Sequence, residues 1–283
     1  MLTSNNDRHP TRRAVFPALW ALLLCMAPSL FAQTPLAQVF ISSDIQTRIY
    51  EDASQTVAIN ASDHSTFIWN ASGTNSAVGE FHAPPATDPV DIVGYNRFPR
   101  WFAIDISLVI DGVLVRPGDV VQVNASLTDP VVVFDGSANA LPAGVNIDAV
   151  TIDPATEDIV LSFDRSVGGS PLFRRADLVR WTGSVYELYF QGSMLPARAD
   201  INGAHILDSG NILMTFQSGI MVPGTGGSFY VRNDQVVEYD PDTELFSMTA
   251  VDLNSHPSWR RAGFDALAAV EAGDGLFADR FED

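Results

Sequence analysis

One strand-rich phrase recurs four times along the chain, and no other feature limits its fold as severely. In the clearest copy, Asp158-Ile159-Val160-Leu161-Ser162-Phe163-Asp164 is followed, across a glycine-bearing loop, by Asp177-Leu178-Val179-Arg180-Trp181 and then by Tyr186-Glu187-Leu188-Tyr189-Phe190. Short β-branched and aromatic runs bounded by Gly, Pro, Asp and Asn predict strands, and helical periodicity is all but absent. After Gln191-Gly192-Ser193-Met194-Leu195-Pro196 comes a fourth run, Ile201-Asn202-Gly203-Ala204-His205-Ile206. The preceding copy runs through residues 101–104, 119–123, 131–137 and 147–152, and its spacing from Trp101 to Asp119 is 18 residues, the same as from Ile159 to Asp177. The first copy is read at residues 39–44, 56–62, 66–69 and 90–95, with Asn60-Ala61-Ser62 matched to Asn124-Ala125-Ser126. The last copy is read at 212–216, 235–239, 244–248 and 264–267, and its loop 219–227 stands out as the one clear insertion.

Four short strands per repeat, joined by turns, make an antiparallel meander, and repeated meanders build β-propellers. The strand pattern starts on the second strand of a repeat, at Val39, and finishes on a lone first strand, at residues 264–270. Pairing these two ends completes a fourth blade and removes the exposed edges of an open stack. The fold expected is all-β, a four-bladed β-propeller closed by its N- and C-terminal strands. An open β-sandwich or stacked sheets is the alternative.

Residues 1–32 stand apart as a signal peptide: Arg12 and Arg13 precede an apolar run, 14–32, that ends Ser29-Leu30-Phe31-Ala32. Pro17 and Pro28 and the short length argue against a membrane anchor, and cleavage is expected near Ala32-Gln33. The arginine pair fits twin-arginine and ordinary export alike. The expected location is therefore the periplasm, the cell surface or the medium. The only cysteine, Cys25, lies in this leader behind the bulky Leu24, so the exported domain has no disulfide, cysteine nucleophile or thiolate zinc site. All 16 basic residues are arginine, which excludes lysine Schiff-base chemistry. Loss of Asp7 and three arginines with the leader carries the formal charge from −18 to −20, a surface that repels nucleic acid and anionic lipid. The chain is divided into leader 1–32, one four-repeat domain 33–271 and an acidic tail 272–283.

The repeat also proposes a site. Asp91, Asp148, Asn202 and Asp265 are matched as the second residue of the first strand in each copy, and innermost strands would set them in a ring at one mouth of an axial channel. Oxygen ligands of this kind suit a structural Ca²⁺; the competing account is that each side chain accepts hydrogen bonds from its own turn. No Gly-x-Ser-x-Gly elbow, His-Glu-x-x-His or phosphate-binding loop ending in Lys occurs. His64, His82, His205 and His256 lack metal-ligand spacing, and His205, inside a strand, reads as a core or channel-wall residue. The acidic turns Asp153/Glu157/Asp158 and Asp240/Asp242/Glu244 read as solvated hairpin connections with a weak Ca²⁺ site as the alternative; Trp69, Trp181 and Trp259 are candidate sugar-stacking platforms, of which Trp69 and Trp181, within strands, read as buried between blades.

At Ile147-Asp148-Ala149, Phe264-Asp265-Ala266 and Asp177-Leu178-Val179-Arg180-Trp181 the repeats resemble hemopexin-type blades, which begin with an apolar-Asp-Ala triplet. That resemblance implies a four-bladed propeller with ions in its channel. Leu-Ser-Phe-Asp, Asp-Leu-Val-Arg and Phe-x-Gly-Ser-x-Leu-Pro are similar to tandem repeats of exported bacterial proteins with no assigned activity, and Leu276-Phe277-Ala278-Asp279-Arg280-Phe281-Glu282 resembles a short ending of such proteins, with Arg280 in place of its Gly. The function expected is an exported, non-catalytic binding or structural module, with a cell-surface glycan or protein as partner and the tail read by export machinery. The alternative is a carboxylate-dependent, glycan-active hydrolase with its site at one face of the ring. A third reading makes the domain a passenger sorted by its tail.

Overall fold

The structure is a computed structural model that describes residues 35–43, 47–50, 58–61, 65–70, 75–80, 92–96, 100–124, 129–168, 171–249, 251 and 263–272. In chain order the strands of the first half are β1 (Leu36–Ser43), β2 (Thr47–Tyr50), β3 (Ala58–Ala61), β4 (Ser65–Asn70), β5 (Asn75–Glu80), β6 (Ile92–Asn96), β7 (Trp101–Ile104), β8 (Leu108–Ile110), β9 (Val113–Val115), β10 (Val120–Gln122) and β11 (Val131–Phe134). The second half holds β12 (Ile147–Ile152), β13 (Ile159–Phe163), β14 (Leu178–Trp181), β15 (Tyr186–Phe190), β16 (Ile201–Ile206), β17 (Ile212–Phe216), β18 (Ile220–Val222), β19 (Phe229–Val231), β20 (Val237–Asp240), β21 (Leu245–Met248) and β22 (Phe264–Glu271).

Four antiparallel sheets result, ordered β22-β1-β4-β5, β6-β7-β10-β11, β12-β13-β14-β15 and β16-β17-β20-β21. Strands β22, β6, β12 and β16 stand innermost, each packed on its two neighbours around the ring and reaching the one opposite. The expected closure is present: β22 pairs with β1 along its length, with Val39 opposite Ala269 and Ile41 opposite Leu267. The first repeat is laid out differently from the sequence reading. Residues 58–61 belong to the separate β2–β3 hairpin, while β4 and β5 supply the third and fourth strands of the sheet. Hence Asn60-Ala61-Ser62 and Asn124-Ala125-Ser126 do not share a turn, since Asn60 and Ala61 lie in β3 and Asn124 follows β10.

Apolar burial is concentrated in the wedges between sheets. One cluster joins Leu178 and Phe190 to Ile201 and Phe216. A second joins Leu213 to Val39 and Phe264. The others join Phe40 to Phe102 and Val121, and Phe134 to Leu161 and Phe163. Small hairpins close these wedges. Pair β8–β9 buries Ile110 and Val115 against the first sheet, and β18–β19 buries Ile220, Val222 and Val231 against the third. The Val167–Phe173 bridge plays the same part in the third repeat. The loop at 219–227 is therefore one of several hairpins inserted between second and third strands, not a lone insertion.

Every innermost strand carries a bulge one residue from its start, between Ile92 and Gly94, Ile147 and Ala149, Ile201 and Gly203, and, on pairing with β1, Phe264 and Ala266. The residue after the bulge is always Gly or Ala because the next innermost strand passes against it. A Cβ on Gly94 would press on Val150, and one on Gly203 on Leu267 and Thr215, whereas Ala149 is accommodated beside the small Ala204. Backbone latches repeat as well: Ile147, Ile201 and Phe264 donate their N–H groups to the carbonyls of Pro117, Arg175 and Asn233 in the preceding sheet, at 2.9, 3.1 and 3.1 Å. Hydroxyls add to the junctions: Ser162 Oγ donates to the Ile201 carbonyl at 2.8 Å and Thr215 Oγ1 to that of Phe264 at 3.3 Å, and Ser42 holds the matching buried place in the first sheet. The matching residue of the second sheet is Ala103.

Two quoted motifs turn out to be halves of one clasp. Asp177 accepts from the N–H of Arg174 at 2.7 Å and of Gly192 at 2.8 Å, and Asp119 from Arg116 and Gly136 at 2.9 and 3.0 Å. These buried carboxylates tie the start of the third strand to the Phe-x-Gly-Ser turn after the fourth. Glycine is required at Gly192 because a Cβ there would overlap the Ala176 carbonyl.

Candidate functional site

The chain enters each innermost strand and leaves each second strand at the same end of the ring, because the two are antiparallel neighbours. Polar residues flank both crossings there. Asp148, Asn202 and Asp265 occupy the bulges of their strands, as their shared pattern suggested. In the second sheet, however, the bulge residue is Val93. Asp91 lies outside the described residues, and the register makes its position equivalent to Asp200 and Asn146, two places earlier. Of the four residues matched from sequence, three therefore stand on described bulges, and a valine, which supplies no side-chain oxygen, stands on the fourth.

The remaining three are not alike. Asn202 and Asp265 are buried and engage each other: Asn202 Nδ2 donates to Asp265 Oδ1 at 2.5 Å and to the Phe264 carbonyl at 3.1 Å. Asp148 is half-buried on β12, where burial first, and then the charges of Asp200 and Asp164, push its carboxyl up to about 8; Arg175 and Arg165 oppose the shift. Asp200, 3% exposed, is held at Oδ2 by Arg175 Nη1 at 3.1 Å, yet its Oδ1 is buried with no hydrogen-bond partner. Burial raises the Asp200 carboxyl to about 6 despite Arg175. Asp164, by contrast, is satisfied: Oδ1 accepts from the Asn146 N–H at 3.0 Å, and Arg165 binds both oxygens, with its shortest contact at 2.8 Å. Among the described residues, no group of three or more His, Cys, Asp or Glu side chains is arranged to hold a metal ion.

Asp200, Arg175, Asp164 and Arg165 were missed as site residues. Their signal was present: Asp200 directly precedes the apolar run of β16, and Asp164 closes the Leu-Ser-Phe-Asp phrase.

Other candidates resolve into structural roles. Asp153-Pro154-Ala155-Thr156-Glu157 and Asp240-Pro241-Asp242-Thr243-Glu244 form the same turn in two hairpins, with Glu157 and Glu244 in the left-handed region (φ 62° and 57°) and their N–H groups donated to the Asp153 and Asp240 carbonyls. Asp153 Oδ1 accepts from the Ala155 N–H at 3.0 Å, and Asp240 Oδ1 from that of Asp242 at 2.8 Å. Arg180 stands among Asp153, Asp158 and Glu187, the shortest contact being 2.7 Å to Glu187, so a guanidinium supplies the cation of that cluster. His205 has its Nδ1 buried without a partner, and burial drops its ring to about 4, which keeps it neutral. Trp181 packs edge-on to Phe134 between sheets, and Trp69 is half-buried against the wedge that holds Phe264. His64, His82, His256, Trp259 and the tail beyond Ala272 lie outside the described residues.

Four sheets radiating from four bulged inner strands define a four-bladed β-propeller. No family model matches the chain, and no curated protein matches it. Among solved structures it is similar to the extracellular domain of a hybrid two-component system from B. thetaiotaomicron, at 9% identity and TM-score 0.23 over 68% of this chain and 33% of that one. It is also similar to the extracellular domain of a protein described as a one-component system from the same organism, at 8% identity and TM-score 0.22 over the same shares. The match spans about a third of the length of those structures. Among the described residues, no helix is long and apolar enough to cross a membrane.

Proposed function

We propose that the chain is an exported, non-catalytic binding module whose ligand is met at the mouth formed by the starts of the innermost strands. One observation carries this reading: at Asp148 and Asp200 the fold keeps carboxyls in places that disfavour their charge and leaves a buried Asp200 oxygen without a donor, whereas both oxygens of Asp164 and of Asp177 accept hydrogen bonds. Carboxyls held against their preferred ionisation by burial and a neighbouring like charge are an arrangement that functional sites use. The leader supports export, and the triplets Ile147-Asp148-Ala149 and Phe264-Asp265-Ala266 support kinship with hemopexin-type blades. The test is a screen of the protein against glycans, cell-surface proteins and small cations, with mass spectrometry of each bound partner. Saturable binding of a partner that is recovered intact, and that weakens in Asp148→Asn, is expected; no binding in any class would refute the reading.

A second reading, a carboxylate-dependent hydrolase, is favoured by the same Asp148, which holds its proton near neutral pH as a general acid must. It requires cleaved glycan in that mass spectrum and loss of cleavage in Asp148→Asn.

A further inference from the structure

We propose that the mouth takes a hydrogen-bonding organic cation, a guanidinium or primary ammonium group, held between the Asp148 carboxylate and the unpartnered Oδ1 of Asp200. The proposal deepens the binding-module reading and rests on it. Its starting point is Asp200, almost wholly buried, with Oδ2 on Arg175 and Oδ1 facing no donor from the protein. A buried acceptor left in this way costs on the order of 1–3 kcal/mol, which a ligand donor can recover.

The backbone fixes Asp148 and Asp200 at one junction. Asp148 is the bulge residue just before Ala149, whose pairing partner Ser162 donates its hydroxyl to the carbonyl of Ile201, the residue after Asp200. Arg175 is set at the same junction, since its carbonyl accepts the Ile201 N–H. Asp164 and Arg165 border the junction but are closed on each other and on the Asn146 N–H. Two carboxyl groups with oxygens to spare therefore remain, both repelling each other's charge.

That donor set decides between cations. Ca²⁺ takes about 6–8 oxygen ligands, and the described residues assemble no acidic group fit for a metal. A guanidinium brings five N–H donors and an ammonium three, so two carboxylates and water satisfy either. Asp200 already accepts one guanidinium, that of Arg175, through its other oxygen. Asp148 keeps part of its surface in solvent, so a cation meets that carboxylate first and reaches the buried Asp200 oxygen only as the side chains shift to admit it.

The test is calorimetric titration of the protein at pH 9, above the range in which Asp148 keeps its proton, with methylguanidinium, tetramethylammonium and Ca²⁺ at one ionic strength. Saturable binding of methylguanidinium is expected, at least about tenfold weaker in Asp148→Asn, a loss of roughly 1.4 kcal/mol. Asp158→Asn, on the hairpin between β12 and β13, should bind as the parent does, and thermal melting checks that both variants are folded. Three results would each overturn the site: no methylguanidinium binding, equal binding in Asp148→Asn, or equal binding of tetramethylammonium, which has the charge without N–H donors. Tighter Ca²⁺ binding that expels methylguanidinium would replace it with a metal site. If the cation fails while another ligand from the wider screen still binds intact, this inference falls and the binding module stands.

Discussion

At the scale of the residue, Asp148 ties function to pH. Its folded-state carboxyl, at about 8, lies above the ordinary value of 3.8, so the folded chain holds a proton that the unfolded chain releases. Stability from this group is complete below about pH 4 and is lost as pH rises through 8. Asp200, at about 6, acts in the same direction but is finished by neutrality, and His205, lowered to about 4, acts in the opposite one, losing stability as pH falls below 6.5. Between pH 6.5 and 8 Asp148 still contributes, and its loss over that interval amounts to about 2 kcal/mol. Denaturant titrations across that interval should show the parent losing stability while Asp148→Asn stays level; parallel curves would mean the carboxyl is ionised throughout. Residue type and repetition made three of the four bulge positions legible in the sequence. Val93 was not, because Val90-Asp91-Ile92 copies the apolar-Asp pattern two places early, and a shift of two residues leaves every side chain on its own face. Nor could any strand pattern show that Asp200 keeps a buried oxygen without a donor, which depends on where Arg175 stops.

At the scale of the element, the junction between sheets is built from a few repeated contacts whose value can be measured one at a time. Ser162 Oγ supplies a donor to the buried Ile201 carbonyl, and Thr215 does the same for Phe264. Ser162→Ala leaves that carbonyl short of a partner and should cost about 1–3 kcal/mol of unfolding free energy. Ala103, fully buried at the matching place, offers the reverse experiment: Ala103→Ser points a hydroxyl at the Ile147 carbonyl and should gain up to about 1 kcal/mol, read as a higher denaturant midpoint with an unchanged slope. A fall in midpoint would show that this junction is too tight for one more atom, Ala103 lying against the site where Gly94 already admits no Cβ easily. The blade strands of the second, third and fourth repeats are readable because period-two patterning and turn residues agree there, while the short hairpins inserted between them are not. In the first repeat patterning and turn residues disagree. The strand-like run at 58–61 pairs with β2 in a separate hairpin, and the weakly apolar Asn75–Glu80, absent from the repeat read in sequence, supplies the fourth strand. Local propensity does not distinguish a run that pairs within its own hairpin from one that pairs with the blade.

At the scale of the whole molecule, the ring is held by one noncovalent seam with no disulfide to back it, since Cys25 is the sole cysteine. Strand β22 fills that seam on both sides. Its pairing with β1 completes the first sheet, while Phe264 and Leu267 enter the wedge toward the fourth sheet and Ala266, Ala268 and Val270 the wedge toward the second. Removing it exposes the edge of β1 and opens two of the four wedges at once. Because neighbouring wedges share the innermost strands, the loss should spread beyond the first sheet. A chain ending at residue 262 is therefore expected to lose its cooperative thermal transition and to associate through the bare edge of β1, whereas a synthetic peptide covering 263–272 should restore the transition in a concentration-dependent way. Restoration should fail with a peptide carrying Leu267→Asp, which keeps the backbone pairing but puts a charge in the wedge. A truncated chain that melts like the parent would show that the other three sheets stand without closure, and the seam would then be a consequence of the fold and not its cause.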